Sequence, residues 1–173
     1  TDIVKVDMFL NHRLDTSLLV KMGQAFAKEF ANEKPDLVLT VEASGIAVAV
    51  ATAIALNNIP VVFAKKSPSR NATDDAYQSR VYSYTHSVDN YIRVAKPYLP
   101  AGSRVMIVDD FLANGEACDG LCDLVRQAGA TVAGIGVCVE KSFQPGHGRL
   151  EQAGYKVYPL ARVTGIRDGR LLV

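Results

Sequence analysis

The residue types that can do chemistry are densest in one stretch, Val105-Met106-Ile107-Val108-Asp109-Asp110-Phe111-Leu112-Ala113-Asn114-Gly115-Glu116-Ala117. An apolar run ends in paired acids and then in small residues at the start of a helical pattern. The apolar run reads as a strand buried on both faces, so the turn that follows lies at the strand's carboxyl end. At that end, Ala113 and Gly115 allow close backbone approach, and successive N–H groups at a helix start form a cradle for an anion such as phosphate. Asn114, Glu116 and Ala117 complete this cradle. The carboxylates of Asp109 and Asp110 can hold ribose hydroxyls directly, or a Mg²⁺ through its waters, because that hard cation favours oxygen ligands. Taken as a plain turn, the same stretch would desolvate two adjacent acids with nothing gained, which favours the reading as a site.

A second turn of this kind is Val41-Glu42-Ala43-Ser44-Gly45-Ile46. Glu42, Ser44 and Gly45 lie between a strand and a helix, where N–H groups receive anions, although such turns also serve only to start a helix. Lys65 and Lys66 end the next strand and offer positive charge, with a solvated strand end as the plain alternative. Lys141 follows the apolar Val137-Cys138-Val139, and its ammonium can donate to an exocyclic oxygen. Neither the lysine-bearing phosphate loop nor G-x-G-x-x-G occurs.

These turns require elements to position them. Thr16 to Glu33 shows helical spacing of Leu18, Leu19, Met22, Phe26 and Phe30, with Asp15 or Thr16 as a cap. Strands are expected over 36–41, 59–65, 104–108, 131–139 and 155–159, with helices over 46–56 and 114–128 and a helical segment near 148–153. The polar segment 67–79 reads as a mobile loop able to act as a lid. Segments 80–85 and 91–95, joined by a turn at 86–90, read as an antiparallel hairpin able to form a hood. The alternation predicts an α/β fold: a doubly wound, mainly parallel sheet with a small hood and a projecting antiparallel hairpin. With 173 residues, 49% hydrophobic and 21% charged, a single domain over 1–173 is expected.

The formal net charge of +1 gives no general field to attract nucleic acid or an anionic membrane, so neither is an expected partner. Cys118, Cys122 and Cys138 are odd in number and have no histidine at zinc-ligand spacing, so buried free thiols and a reducing cytoplasm are expected. No long charge-free apolar run is present, and no secretory signal is seen.

The stretch from Asp109 to Gly115 resembles the phosphoribosyl pyrophosphate (PRPP) motif of type I phosphoribosyltransferases, and its wording is similar to the bacterial xanthine-using branch. Lys5-Val6-Asp7-Met8-Phe9-Leu10-Asn11-His12 resembles that branch's base-binding segment, and Glu140-Lys141-Ser142-Phe143-Gln144-Pro145-Gly146 its second base-contacting segment. The resemblance runs from about Val4 to Arg162. It implies displacement of pyrophosphate from PRPP by a nitrogen base through an oxocarbenium-like transition state, with Mg²⁺ as cofactor, no covalent enzyme nucleophile and a homodimeric enzyme.

Carried onto this chain, the resemblance assigns the base to Val4, Asn11 and Lys141. PRPP falls to Glu42, Ser44, Gly45, Lys65, Asp109, Asp110, Ala113, Asn114, Gly115, Glu116 and Ala117. The metal falls to Asp109 and Asp110 through water, and Asp109, Asp110 and Lys141 are the expected catalytic residues. Residue type alone makes Asn11 a turn residue; the resemblance makes it a ligand that separates oxo from amino groups, while Phe9 stays open between ring contact and core. Many oxopurine transferases carry an acid where this chain has Ala113, so no general base is assigned. The expected substrate is xanthine. Hypoxanthine/guanine and adenine transferases, and a noncatalytic PRPP-sensing transcription regulator, are the alternatives.

Overall fold

The computed structural model describes residues 4–67, 70, 75–83, 88–167 and 170–173. A seven-stranded sheet runs in the order β3-β4-β2-β1-β5-β6-β7. Its strands are β1 (Leu37–Val41), β2 (Val61–Ser67), β3 (Ala76–Ser83), β4 (Val88–Ala95), β5 (Arg104–Leu112), β6 (Thr131–Lys141) and β7 (Val157–Val163). β1 pairs in parallel with β2 and β5, and β5–β6 and β6–β7 continue the parallel ladder. The helices are α1 (Thr16–Phe30), α2 (Gly45–Ala55), α3 (Glu116–Gln127) and α4 (Gly146–Gln152).

Strand alternation divides the apolar side chains between the sheet's two faces. Val38, Met106 and Val108 pack with Phe26 and Phe30 of α1 and with Val48, Ala49 and Ala53 of α2. Leu37, Leu39, Val105 and Ile107 pack with Leu121, Leu124 and Val125 of α3. Two helices on one face and a third on the other make the sheet doubly wound, as expected. The strands between these layers are continuous apolar runs because neither face meets water; β1 is buried at all its positions.

Several boundaries differ from the sequence reading, for physical reasons. β5 runs on through both acids to Leu112, because β6 is long enough to pair with it there, Phe111 facing Val139 and Leu112 facing Glu140. The expected hairpin is present and is continuous with the sheet: β4 pairs antiparallel with the end of β2 through Lys65–Arg93, Lys66–Ile92 and Ser67–Tyr91. The loop expected over 67–79 is shortened at both ends, since Ser67 closes β2 and β3 begins at Ala76, and its remainder lies mostly outside the described residues; the turn expected over 86–90 is cut short by β4, which begins at Val88, with 86–87 outside the described residues. A small antiparallel pair, β8 (Gly165–Arg167) and β9 (Arg170–Leu172), was not foreseen. All three cysteines are free and buried. No described helix is long and apolar enough to cross a membrane.

The base-binding segment inferred near the amino terminus is a π-helical turn over Asp7–Asn11 with Leu10 buried. It is tied to α1 by the Asp15 N–H donating to the Phe9 carbonyl at 3.0 Å, while the Asp15 carboxylate accepts from the Leu18 N–H at 3.0 Å. Asp15, rather than Thr16, is therefore the cap. Asp15→Ala is expected to cost about 1 kcal/mol, seen as a fall in melting temperature of roughly 2–4 °C; an unchanged melting curve would show that the cap contributes nothing.

Candidate active site

At the carboxyl ends of β1, β2, β5 and β6 lies a cavity of about 680 Å³, a volume suited to a nucleotide-sized ligand. Parallel strands deliver their following turns to this one edge, so residues distant in sequence converge. Glu42 and Ser44 come from the turn after β1. Asp109, Asp110, Ala113, Asn114, Glu116 and Ala117 come from β5 and the start of α3, and Lys141 from the end of β6. The hairpin supplies a wall through Val81, Tyr82, Asn90 and Ile92.

Asp109 is the buried acid of the pair, with 4% of its surface exposed. Its Oδ1 accepts from the Asp110 N–H at 2.9 Å, and Asp110 Oδ1 accepts from the Phe111 N–H at 2.9 Å. Burial pushes the Asp109 carboxyl well above the usual carboxylate range, and the charge of Asp110 adds to this, against the opposing pull of the Asp110 amide and Lys66. Burial likewise raises the Cys118 thiol strongly and Cys122 to about 12, so both remain protonated and unreactive.

The small residues after the acids have a structural cause. Gly115 has φ +94°, a left-handed conformation open to glycine, and caps α3. It does not line the cavity itself; it turns the chain so that Ala113, Asn114, Glu116 and Ala117 do. The first N–H groups of α3 have no intrahelical partner and, with the helix dipole, favour an anion there. The turn is seated on a second loop: the Gly146 N–H donates to the Ala113 carbonyl at 3.1 Å, and a Cβ on Gly146 would lie 2.4 Å from that oxygen. Arg149 of α4 pairs with Asp119 of α3, fastening the same contact from outside.

In the turn after β1 the Glu42–Ala43 peptide is cis. The Glu42 Oε1 accepts from the Lys66 N–H at 2.6 Å, linking this turn to the end of β2. Gly45 does not line the cavity; it starts α2 against β1, where a Cβ would lie 2.2 Å from Thr40 Oγ1 and 3.2 Å from Asp109 Oδ1.

Three inferred residues lie elsewhere. Lys65 lines a separate cavity with Asp75, Arg93 and Tyr98, and the lysine in the main cavity is Lys66. Successive residues of a strand point to opposite faces, and the register of β2 puts Lys66 on the site's side. Val4 and Phe9 are partly buried and pack against the core cluster containing Val6 and Leu10. Asn11 is exposed and donates through Nδ2 to Asp7 Oδ1 at 3.3 Å. Neither Val4 nor Asn11 lines the cavity.

Conversely, Gln144 and Phe111 line it without having been assigned. The Lys141 ammonium lies 6.0 Å from the Phe111 ring centroid. Gln144 belongs to the segment 140–146 that resembles a base-contacting one, which is the signal the sequence carried for it. Glu140, just before Lys141, is held below the site by Ser142 Oγ at 2.7 Å and His147 Nδ1 at 2.6 Å. Among the described residues, Thr40 Oγ1, Glu116 Oε1 and Gln144 Oε1 are buried without a hydrogen-bond partner; the last two line the cavity.

An acid pair at a strand end, small residues at a helix start and lysines from β2 and β6 thus share one cavity. The phosphoribosyl transferase domain family matches residues 16–158, and the chain belongs to that family. It is 48% identical over 169 residues to the xanthine phosphoribosyltransferase of Laribacter hongkongensis, covering 98% of this chain and 89% of that one. It is also 48% identical over 170 residues to the xanthine phosphoribosyltransferase of Ruminiclostridium cellulolyticum, with 98% and 89% covered. Among solved structures, the adenine phosphoribosyltransferase of Thermoanaerobacter pseudethanolicus is similar with TM-score 0.74 and 25% identity over 86% of this chain and 82% of that one. The Giardia lamblia enzyme complexed with 9-deazaadenine shares the fold, with TM-score 0.76 and 18% identity over 87% and 82%.

Two tests follow from the site's geometry. Lys66→Ala is expected to weaken inorganic pyrophosphate binding about tenfold, or ~1.4 kcal/mol, whereas Lys65→Ala leaves it unchanged; calorimetry showing the reverse would overturn the register argument. Asp109, as an acid with a raised folded value, binds more protons in the native than in the unfolded chain once pH exceeds the ordinary range near ~3.9. Its contribution to stability is therefore present at low pH and lost as pH rises through the raised value, at a slope of up to about 1.4 kcal/mol per pH unit. Asp109→Asn should flatten that fall in metal-free urea titrations, and an identical slope in both proteins would count against burial as the cause.

Proposed function

We propose that this chain is a xanthine phosphoribosyltransferase of purine salvage, joining xanthine to PRPP to give xanthosine 5'-monophosphate and pyrophosphate. The observation that carries the reading is the convergence, in one cavity, of the Asp109–Asp110 pair, the cradle at the start of α3 and Lys141. The base follows from the sequence relatives. The xanthine phosphoribosyltransferases are 48% identical over almost the whole chain, whereas the adenine phosphoribosyltransferase structures reach 25% and share chiefly the fold. Lys141 agrees with an oxopurine, since an ammonium only donates and adenine has no exocyclic oxygen to receive it.

In this reading the cradle at Ala113, Asn114, Glu116 and Ala117 holds the 5'-phosphate, with Gly115 setting its turn. Asp109 and Asp110 hold the ribose hydroxyls or the metal's waters. Glu42, Ser44 and Gly45 place the turn after β1 around the pyrophosphate, with Lys66 supplying charge there. Lys141 orients the base and favours an anionic purine. The donor set fits Mg²⁺: two adjacent carboxylates line the cavity, and this ion is commonly held by one or two carboxylates beside substrate phosphates. When bound, Mg²⁺ would supply charge neutralisation for the departing pyrophosphate. The protein's own contribution is orientation, fixed dipoles and exclusion of water that would hydrolyse the donor. A cytoplasmic homodimer completes the proposal. It rests on the family resemblance and, for the compartment, on three free buried thiols.

The test is Mg²⁺-dependent pyrophosphate release with xanthine, guanine, hypoxanthine and adenine supplied separately. Xanthine is expected to give the highest kcat/KM. Preference for another purine would overturn the base, and tight PRPP binding without turnover on any purine would favour a regulator. Lys141→Ala should lower kcat/KM for xanthine by about 10–100-fold, the loss of one hydrogen bond to a charged group, with PRPP affinity retained. Equal loss toward both substrates would remove Lys141 from base selection.

A further inference from the structure

The turn that follows β6 brings a further polar group to the cavity besides Lys141. Gln144 lines the cavity, and its side-chain carbonyl oxygen is buried without a hydrogen-bond partner. Leaving such an oxygen unpaired is costly, and a donor carried by the ligand would relieve that cost. A ligand that displaces water from this oxygen must supply an N–H or O–H in its place.

The side chain is on a constrained turn. The Gln144 N–H donates to the Lys141 carbonyl at 3.0 Å, and the Ser142 N–H donates to the Val163 carbonyl at 2.9 Å. Ser142 Oγ donates to Glu140 Oε1 at 2.7 Å, and Glu140 Oε2 is bonded to His147 Nδ1 at 2.6 Å. Immediately after Gln144, Pro145 and Gly146 dock on the phosphate loop through the Gly146 N–H and the Ala113 carbonyl. Both ends of the turn are held by the sheet or by its neighbouring loop. The turn therefore presents one group that only donates, the Lys141 ammonium, and one oxygen that only accepts, the Gln144 carbonyl, toward the same cavity.

We infer that Gln144 is a specificity-determining residue that accepts a hydrogen bond from a ring N–H of the purine, so that Lys141 and Gln144 together read a lactam. The inference rests on the proposed function and deepens it. A lactam offers a carbonyl acceptor beside a ring N–H donor, the complement of this pair. Adenine offers the opposite polarity, an amino donor beside a ring nitrogen that accepts. Rotating the Gln144 amide would let its NH₂ meet that nitrogen, but the ammonium of Lys141 has no acceptor to turn toward the amino group. The pair thus discriminates against adenine by leaving buried groups unpaired, a stronger penalty than loss of apolar contact.

The experiment compares wild type, Gln144→Leu and Gln144→Glu in steady-state kinetics with xanthine and with PRPP. Leucine removes the acceptor, and glutamate keeps an acceptor while removing the donor. Gln144→Leu is expected to raise KM for xanthine about tenfold or more, leave KM for PRPP within about twofold, and narrow the xanthine-to-adenine ratio of kcat/KM; tenfold corresponds to about 1.4 kcal/mol. Gln144→Glu keeps the acceptor but adds a negative charge beside the base, so it is expected to raise KM for xanthine less than Gln144→Leu does, and unchanged PRPP saturation in both variants reports an intact fold. An active wild type with unchanged xanthine KM in Gln144→Leu, or equal damage in both variants, overturns the acceptor role while the transferase reading stands. A wild type inactive with every purine overturns that reading and this inference with it.

Discussion

Asp109 is a carboxyl group at 4% exposure at the end of a strand buried on both faces, and much of the site can be understood from what this burial demands. Desolvation and the neighbouring charge of Asp110 both oppose ionisation. The forces in the other direction come from the Asp110 N–H, a part of the strand, and from Lys66, two strands away. A buried acid of this kind is an unfavourable element of a core unless a cation or hydroxyl arrives to use it. The same pair of charges, acting with burial, raises the thiols of Cys118 and Cys138, on α3 and β6. The field of the acid pair thus reaches two elements that pack around it, and the cysteines there behave as small apolar residues.

The turns around the acids act as one assembly because they bond to each other. The cradle before α3 rests on the start of α4 through the Gly146–Ala113 hydrogen bond and the Arg149–Asp119 pair. The turn after β1 is tied to β2 through Glu42 and the Lys66 amide. The turn after β6 is tied to β7 through Ser142 and Val163. A cavity built this way is largely preorganised by the sheet, and binding need not spend free energy ordering each loop separately. The hairpin wall differs in kind, being attached to the sheet by antiparallel pairing of β4 with the end of β2.

The hydrophobic pattern was enough to read the layered sheet, because buried parallel strands and amphipathic helices leave apolar runs of different period. It also located the acid pair and the small residues of the cradle, since a positive φ at Gly115 and the docking at Gly146 constrain residue type locally. Boundaries were less legible. The run of β5 past its acids depends on the length of β6, and the start of β3 at Ala76 depends on pairing with Ala95. Neither partner is visible in the strand's own residues.

What the sequence by itself determined is therefore the set of local devices: which runs are strands or helices, where acids meet a helix start, and that the three thiols are free of disulfides. Tertiary structure alone decided which neighbouring lysine faces the site, because the alternation of β2 is set by its pairing of Ala64 with Val41 and of Lys66 with Ile92. It likewise showed Val4 and Asn11 away from the cavity lining and Gln144 within it with an unpaired oxygen. Spacing along a chain specifies periodicity, whereas the face and depth of a side chain follow from the elements packed against it.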